Sequence, residues 1–144
     1  MKSVKKLLAD KPQSYIWSVS PDTTVIEALF LMAEKNIGAV VVLDGEQLVG
    51  IFSERDYARK GIVQGRKAKS TPISEVMTRK VFTVTPEMDI RECMKFCRVK
   101  KIRQLPVWEE EPLLSEISIG DLVNSIMKEQ VDHIQFLESY ITNA

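Results

Sequence analysis

Val19-Ser-Pro21-Asp-Thr-Thr24-Val-Ile-Glu27 and Val84-Thr-Pro86-Glu-Met-Asp89-Ile-Arg-Glu92 are two versions of one phrase. The offset that carries Pro21 onto Pro86 superposes Val19–Asp56 on Val84–Asp121 without a gap. Glu27/Glu92, Lys35/Lys100, Ile37/Ile102, Val42/Val107, Leu48/Leu113, Ser53/Ser118 and Asp56/Asp121 coincide along with the valines and prolines. Unrelated stretches of that length would share roughly two or three residues, so the chain is an internal repeat. Two copies are too few for a solenoid. The expected product is a pair of halves that bury their apolar faces about a pseudo-twofold axis, and any site built on that axis should come in twos.

Each copy predicts the same run of elements. Thr24-x-x-Glu27 and Asp89-x-x-Glu92 read as capping boxes opening helices whose apolar stripes are Val25, Ala28, Leu29, Met32 and Ile90, Cys93, Met94, Cys97. Two strands follow: Ala39–Leu43 and Leu48–Phe52 around the tight-turn signal Asp44-Gly45-Glu46, then Gln104–Trp108 and Leu113–Ile117 around the looser Glu109-Glu-Glu-Pro112. A further helix runs from Ser53 to Gln64 and from Ser118 to Ile141, and a short strand precedes each unit at Ile16–Val19 and Val81–Val84. Upstream, Val4, Leu7, Leu8 echo Ile73, Val76, Met77, with four residues inserted in the first copy around Pro12-Gln13-Ser14-Tyr15. Residues 1–70 therefore form repeat 1 with an N-terminal helix, and 71–144 form repeat 2 with an extended C-terminal helix. Gly65–Pro72 is the polar connection.

With 144 residues, 44% of them hydrophobic, the chain can fill a core, and its net charge of zero creates no general field for nucleic acid or membrane. The cluster Arg55, Arg59, Lys60, Arg66, Lys67, Lys69 reads first as a solvated helix and linker. No run approaches the ~20 apolar residues of a membrane span, and the N-terminus is too short an apolar run for a signal peptide, which predicts a cytoplasmic protein. Cys93 and Cys97 align with Ala28 and Met32 and read as core filler; the single histidine, His133, is remote, so no metal site is expected. There is no Gly-x-Ser-x-Gly, no phosphate-cradling glycine loop and no histidine beside a serine or cysteine, so no catalytic residue is assigned and the chain does not read as an enzyme. In the last helix Val123, Met127, Gln130, Ile134, Leu137 and Ile141 alternate steps of four and three, the seam of a helix that packs on another helix. A homodimer interface is the expectation.

Ser53-Glu-Arg-Asp56-Tyr-Ala-Arg-Lys60 and Ser118-Ile-Gly-Asp121 have a plain reading as capping boxes, since Thr24 and Glu27 already use one with no ligand in view. A serine ending a strand and opening a helix also presents backbone N–H groups to a phosphate, and an aspartate one turn on can accept two ribose hydroxyls. Together with Asn36-Ile-Gly-Ala39-Val-Val-Val-Leu43, Leu48-Val-Gly-Ile51-Phe-Ser53, Glu75-Val-Met-Thr78 and Lys101-Ile-Arg-Gln-Leu-Pro-Val107, these segments resemble a tandem pair of CBS domains, the stand-alone two-repeat Bateman module. The resemblance covers nearly the whole chain. It implies an α/β fold of two pseudo-twofold β-α-β-β-α repeats, sheets packed against helices, in a regulatory module that dimerises and acts on a client protein. It also implies adenosine-containing ligands (AMP, ADP, ATP, NAD or S-adenosylmethionine) in two clefts. The alternative is a ligand-free protein–protein or nucleic-acid interaction module.

Carried onto this sequence, the resemblance places Ser53 near phosphate, Asp56 on ribose and Ile51 against adenine in a first cleft. Gly38 and Ala39 give close backbone approach there, Arg55 and Arg59 face a phosphate tail, and Met77, Thr78, Val81, Ile102 and Arg103 complete the wall. The second cleft takes Ser118, Gly120, Asp121, Arg103 and Gln104, with Gln13, Ile16, Trp17 and Ile37. It departs from the pattern where Ser115-Glu116 stands in place of Gly50-Ile51, setting an acid where adenine should lie.

Overall fold

The computed structural model describes residues 2–10, 16–108 and 115–142. The elements are α1 (Val4–Asp10), β1 (Ser18–Val19), α2 (Val25–Lys35), β2 (Ala39–Asp44), β3 (Gln47–Ser53), α3 (Glu54–Asp56) running into a π-helical turn (Tyr57–Ile62), a 3-10 turn (Ile73–Glu75), α4 (Ile90–Lys100), β4 (Gln104–Val107), β5 (Ser115–Ser118) and α5 (Ile119–Thr142). They gather into two compact units. The first holds 16–83 with Trp108 and Ser115; the second holds 2–10, 84–107 and 116–142.

In the first unit β1 runs parallel to β2, with Val19 opposite Val42, and β2 pairs antiparallel with β3. Gly45, at φ 64°, makes the turn that the Asp-Gly signal calls for. Val40, Val41 and Val42 are fully buried on both faces of the sheet. The α2 stripe of Val25, Ala28 and Met32 closes on Val40, Val42 and Phe52, and Ile73, Val76 and Met77 complete the core. The Thr24 capping box forms as read: Glu27 N–H donates to Thr24 Oγ1 at 3.4 Å, and Thr24 N–H to Glu27 Oε2 at 3.2 Å.

The second unit repeats these backbone bonds at the equivalent positions of the second copy. Ile37 N–H donates to the Met32 carbonyl and Ile102 N–H to that of Cys97; Val84 bridges Val107 in parallel as Val19 does Val42. The lead segments obey the shifted offset that the four-residue insertion requires. Thr24 bridges Pro72 in one unit and Asp89 bridges Ser3 in the other; Ile73 N–H donates to the Thr23 carbonyl and Val4 N–H to that of Met88. Each unit thus takes its lead segment from ahead of the other repeat, a trade that the linear halves 1–70 and 71–144 do not display.

Three expectations change. Asp89 accepts from Arg91 N–H at 2.7 Å, one residue short of Glu92, so the second capping box does not close. The expected strand 81–84 shrinks to the single Val84 bridge, because Pro106 stands where Val41 pairs with Ser18 and offers no N–H to a longer ladder. The helix read over 53–64 becomes one α-turn followed by π-helix. There the Tyr57 ring lies over Gly61, at which a Cβ would come within 2.9 Å of the ring, so the wider turn makes room for an aromatic that packs on the core.

Candidate functional site

Strand β3 delivers Ser53 in extended geometry (φ −127°) to the N-cap of α3. Its hydroxyl accepts from Asp56 N–H at 3.2 Å, while Asp56 Oδ2 accepts from Ser53 N–H at 3.0 Å and from Ser53 Oγ at 3.1 Å. Glu54 N–H donates to the Gly38 carbonyl at 3.2 Å. Two amides of the first turn are therefore engaged, which corrects the expectation that they stand free for a phosphate.

The other carboxylate oxygen faces away from the cap. Asp56 Oδ1 accepts from Thr78 Oγ1 at 3.0 Å and pairs with Lys60 Nζ at 3.6 Å. The same ammonium approaches Thr78 Oγ1 at 3.4 Å and the Met77 carbonyl at 3.5 Å. Thr78 is held in place by its backbone: Ile51 N–H donates to the Thr78 carbonyl at 2.9 Å and Thr78 N–H returns the bond at 2.8 Å. Gly50 permits this approach, since a Cβ there would fall 2.6 Å from Met77 Sδ and 3.1 Å from the Thr78 carbonyl oxygen. The Asp56 side chain is 13% exposed and that of Lys60 43%.

The fold thus brings Gly38, Ala39, Ile51, Ser53, Asp56, Met77 and Thr78 together, Ala39 standing opposite Ser53 in the sheet. Arg55 and Arg59 are exposed, and Val81 is half-buried a short way beyond Thr78. Ile102 and Arg103 belong to the second unit. Gly50 and Lys60 were missed by the sequence reading. Lys60 stands one helical turn after Asp56, the spacing of an ion pair, but reads as one member of a basic cluster.

At the second serine–aspartate pair, Ser118 N–H donates to Asp121 Oδ2 at 2.9 Å and Asp121 N–H to Ser118 Oγ at 3.1 Å. Ile119 N–H donates to the Arg103 carbonyl at 2.8 Å, matching Glu54 and Gly38. Gly120 is exposed, Gln104 lies in β4, and Glu116 is half-buried in β5. The position equivalent to Lys60 is Ser125, buried, its hydroxyl without a hydrogen-bond partner among the described residues. Ile16, Trp17 and Ile37 lie in the first unit; Lys35 Nζ sits 4.4 Å above the Trp17 ring, and Ile37 packs on the core. Gln13 lies outside the described residues.

Cys93 and Cys97 are buried free thiols on α4, and burial pushes Cys93 up to about 11, which keeps it protonated at neutral pH. Among the described residues no group of three metal-ligating side chains forms, and no helix is long and apolar enough to cross a membrane.

The CBS domain family model matches residues 4–62 and 73–128. The chain belongs to the CBS domain family. It is 41% identical over 133 residues to the CBS domain-containing protein CBSX3, mitochondrial, of Arabidopsis thaliana, covering 89% of this chain and 64% of that protein, so it spans just under two thirds of that relative's length. It is 34% identical to the CBS domain-containing protein YhcV of Bacillus subtilis over 90% of this chain and 89% of that one. A solved CBS-domain protein from Burkholderia ambifaria superposes with a TM-score of 0.85 at 43% identity, over 90% of this chain and 96% of the other. Two CBS structures at 23% and 21% identity share the fold: CBSX2 in complex with AMP (TM-score 0.73) and the MJ0100 domain pair in complex with 5′-methylthioadenosine and S-adenosyl-L-methionine (TM-score 0.75).

Proposed function

We propose that this CBS pair is a regulatory module that binds an adenine nucleotide at Asp56 and controls a partner protein. The observation that carries the reading is the partly sheltered Asp56 carboxylate, oriented by Ser53 and by Thr78, whose backbone is bridged to the apolar Ile51. A carboxylate held in that way accepts ribose hydroxyls, and an aliphatic residue such as Ile51 suits an adenine face. In this reading Arg55 and Arg59, both exposed and four residues apart, would meet the phosphate. The adenosine ligands held by CBSX2 and MJ0100 support the class of ligand; AMP, ADP, ATP and NAD are the candidates for this chain.

The reading includes a homodimer. In α5, Met127 is 58% exposed, Ile134 53%, Leu137 44% and Ile141 72%, an apolar stripe that a second copy would cover. Sedimentation velocity should report a dimer at micromolar concentration, and Leu137→Glu should shift it toward monomer. A wild-type monomer refutes this element.

Thermal denaturation with AMP, ATP, NAD and S-adenosylmethionine tests the ligand class. A ligand at 100 times its Kd stabilises by about 2.7 kcal/mol. Asp56→Ala should remove that stabilisation. No shift of the wild-type Tm with any of the four at millimolar concentration overturns the proposal.

A further inference from the structure

Asp56 is already engaged before any ligand arrives. A carboxylate offers roughly four acceptor directions; Ser53 N–H, Ser53 Oγ and Thr78 Oγ1 take three of them as hydrogen bonds, and Lys60 Nζ adds an ion pair to Oδ1 at 3.6 Å. A ribose that donates both hydroxyls to Asp56 must therefore displace one of these groups. The Ser53 contacts start the helix. Thr78 lies at 3.0 Å and is pinned by two backbone bonds to Ile51. Lys60 is different: its three polar contacts are all long, 3.4–3.6 Å, and its side chain is 43% exposed on a flexible four-carbon stem.

We infer that Lys60 is a specificity-determining residue of the proposed nucleotide site: it closes the Asp56 carboxylate when the site is empty and transfers its ammonium to the ligand's phosphate when ribose takes its place. The inference rests on the nucleotide reading and deepens it. An anionic nucleotide returns the lysine a partner after displacing it from Asp56. Uncharged adenosine leaves the ammonium only its long neutral contacts to Thr78 and Met77, and a sulfonium ligand adds a like charge beside it. Lys60 thus makes the site discriminate by charge at a distance from the adenine ring. The second repeat has serine at the corresponding position, Ser125, and lacks this device.

Calorimetric titration of AMP and of adenosine into wild type, Lys60→Met and Lys60→Arg tests the assignment. Wild type should prefer AMP. Lys60→Met should lower that preference by about five- to tenfold, the worth of one partly exposed charge-assisted hydrogen bond, through weaker AMP binding with adenosine binding kept or improved. Lys60→Arg should keep most of the preference. Because the readout is a ratio within one variant, a general loss of folded protein does not imitate it. If wild type binds both ligands and Lys60→Met leaves the ratio unchanged, the role of Lys60 is overturned while the nucleotide reading stands. If wild type binds neither, both fall.

Discussion

Ser53–Asp56 and Ser118–Asp121 are the same local device built twice. In each, the serine N–H donates to the aspartate carboxylate, the aspartate N–H donates to the serine hydroxyl, and the next residue's amide is taken by an upstream carbonyl, that of Gly38 or Arg103. The difference lies outside the motif. Around Asp56 the chain supplies Lys60, Thr78 and an apolar Ile51; the matching positions of the second repeat carry Ser125, Ala9 and Glu116. A helix cap is what the spacing guarantees, and the neighbours decide whether a capped carboxylate also becomes a binding group.

Ligand response is where the two copies should part most. Calorimetry should find one tight nucleotide site per chain, lost in Asp56→Ala and retained in Asp121→Ala, a difference worth the whole ligand stabilisation of about 2.7 kcal/mol at 100 times Kd. Two equal sites, or loss with Asp121→Ala alone, would break the comparison. Next come the residues ahead of the serines. Gly50→Val drives a branched side chain toward Met77 and the Thr78 carbonyl and should cost about 2–3 kcal/mol in urea denaturation. Its counterpart Ser115 already carries a Cβ, and Ser115→Ala should stay within about 0.5 kcal/mol.

A smaller effect separates the helix ends. Asn36 and Lys101, equivalent in the two copies, both adopt the left-handed conformation, at φ 54° and 55°. Asparagine adopts that conformation at lower cost than lysine, so Lys101→Gly should stabilise by about 1 kcal/mol and Asn36→Gly by less than half as much. The last contrast is absent at neutral pH. Cys93 and Cys97 replace Ala28 and Met32, and burial raises both thiols above their usual 9.0, Cys93 to about 11. The unfolded thiols lose their protons first, so stability is undiminished below pH 9 and declines as pH rises toward 11. Cys93→Ala should flatten that decline in pH-dependent urea melts; an equal decline in the variant would assign it elsewhere.

Much of this molecule follows from the sequence alone. The repeat offset, the Thr24 cap, the apolar stripes of α2 and α4, the Asp-Gly turn and the strand pairs are local patterns whose period or chemistry admits few alternatives, and the four-residue insertion is legible in the echo of the lead segments. What stayed hidden depends on residues far apart in the chain. Pro106 shortens a strand well upstream of it because only the parallel pairing brings its missing N–H opposite Thr83. Tyr57 widens a helix into a π-turn because its ring packs on a core assembled from several elements. Lys60 looked like one cation in a solvated cluster until Thr78 and the Met77 carbonyl arrived beside Asp56 through the backbone bridge to Ile51. Sequence determined the repeat and the caps, since those are set within a few residues by hydrogen-bond and hydrophobic periodicity. Only the tertiary structure decided which of the two capped aspartates gathers a lysine and a threonine, since that depends on which strand edge the lead segment joins.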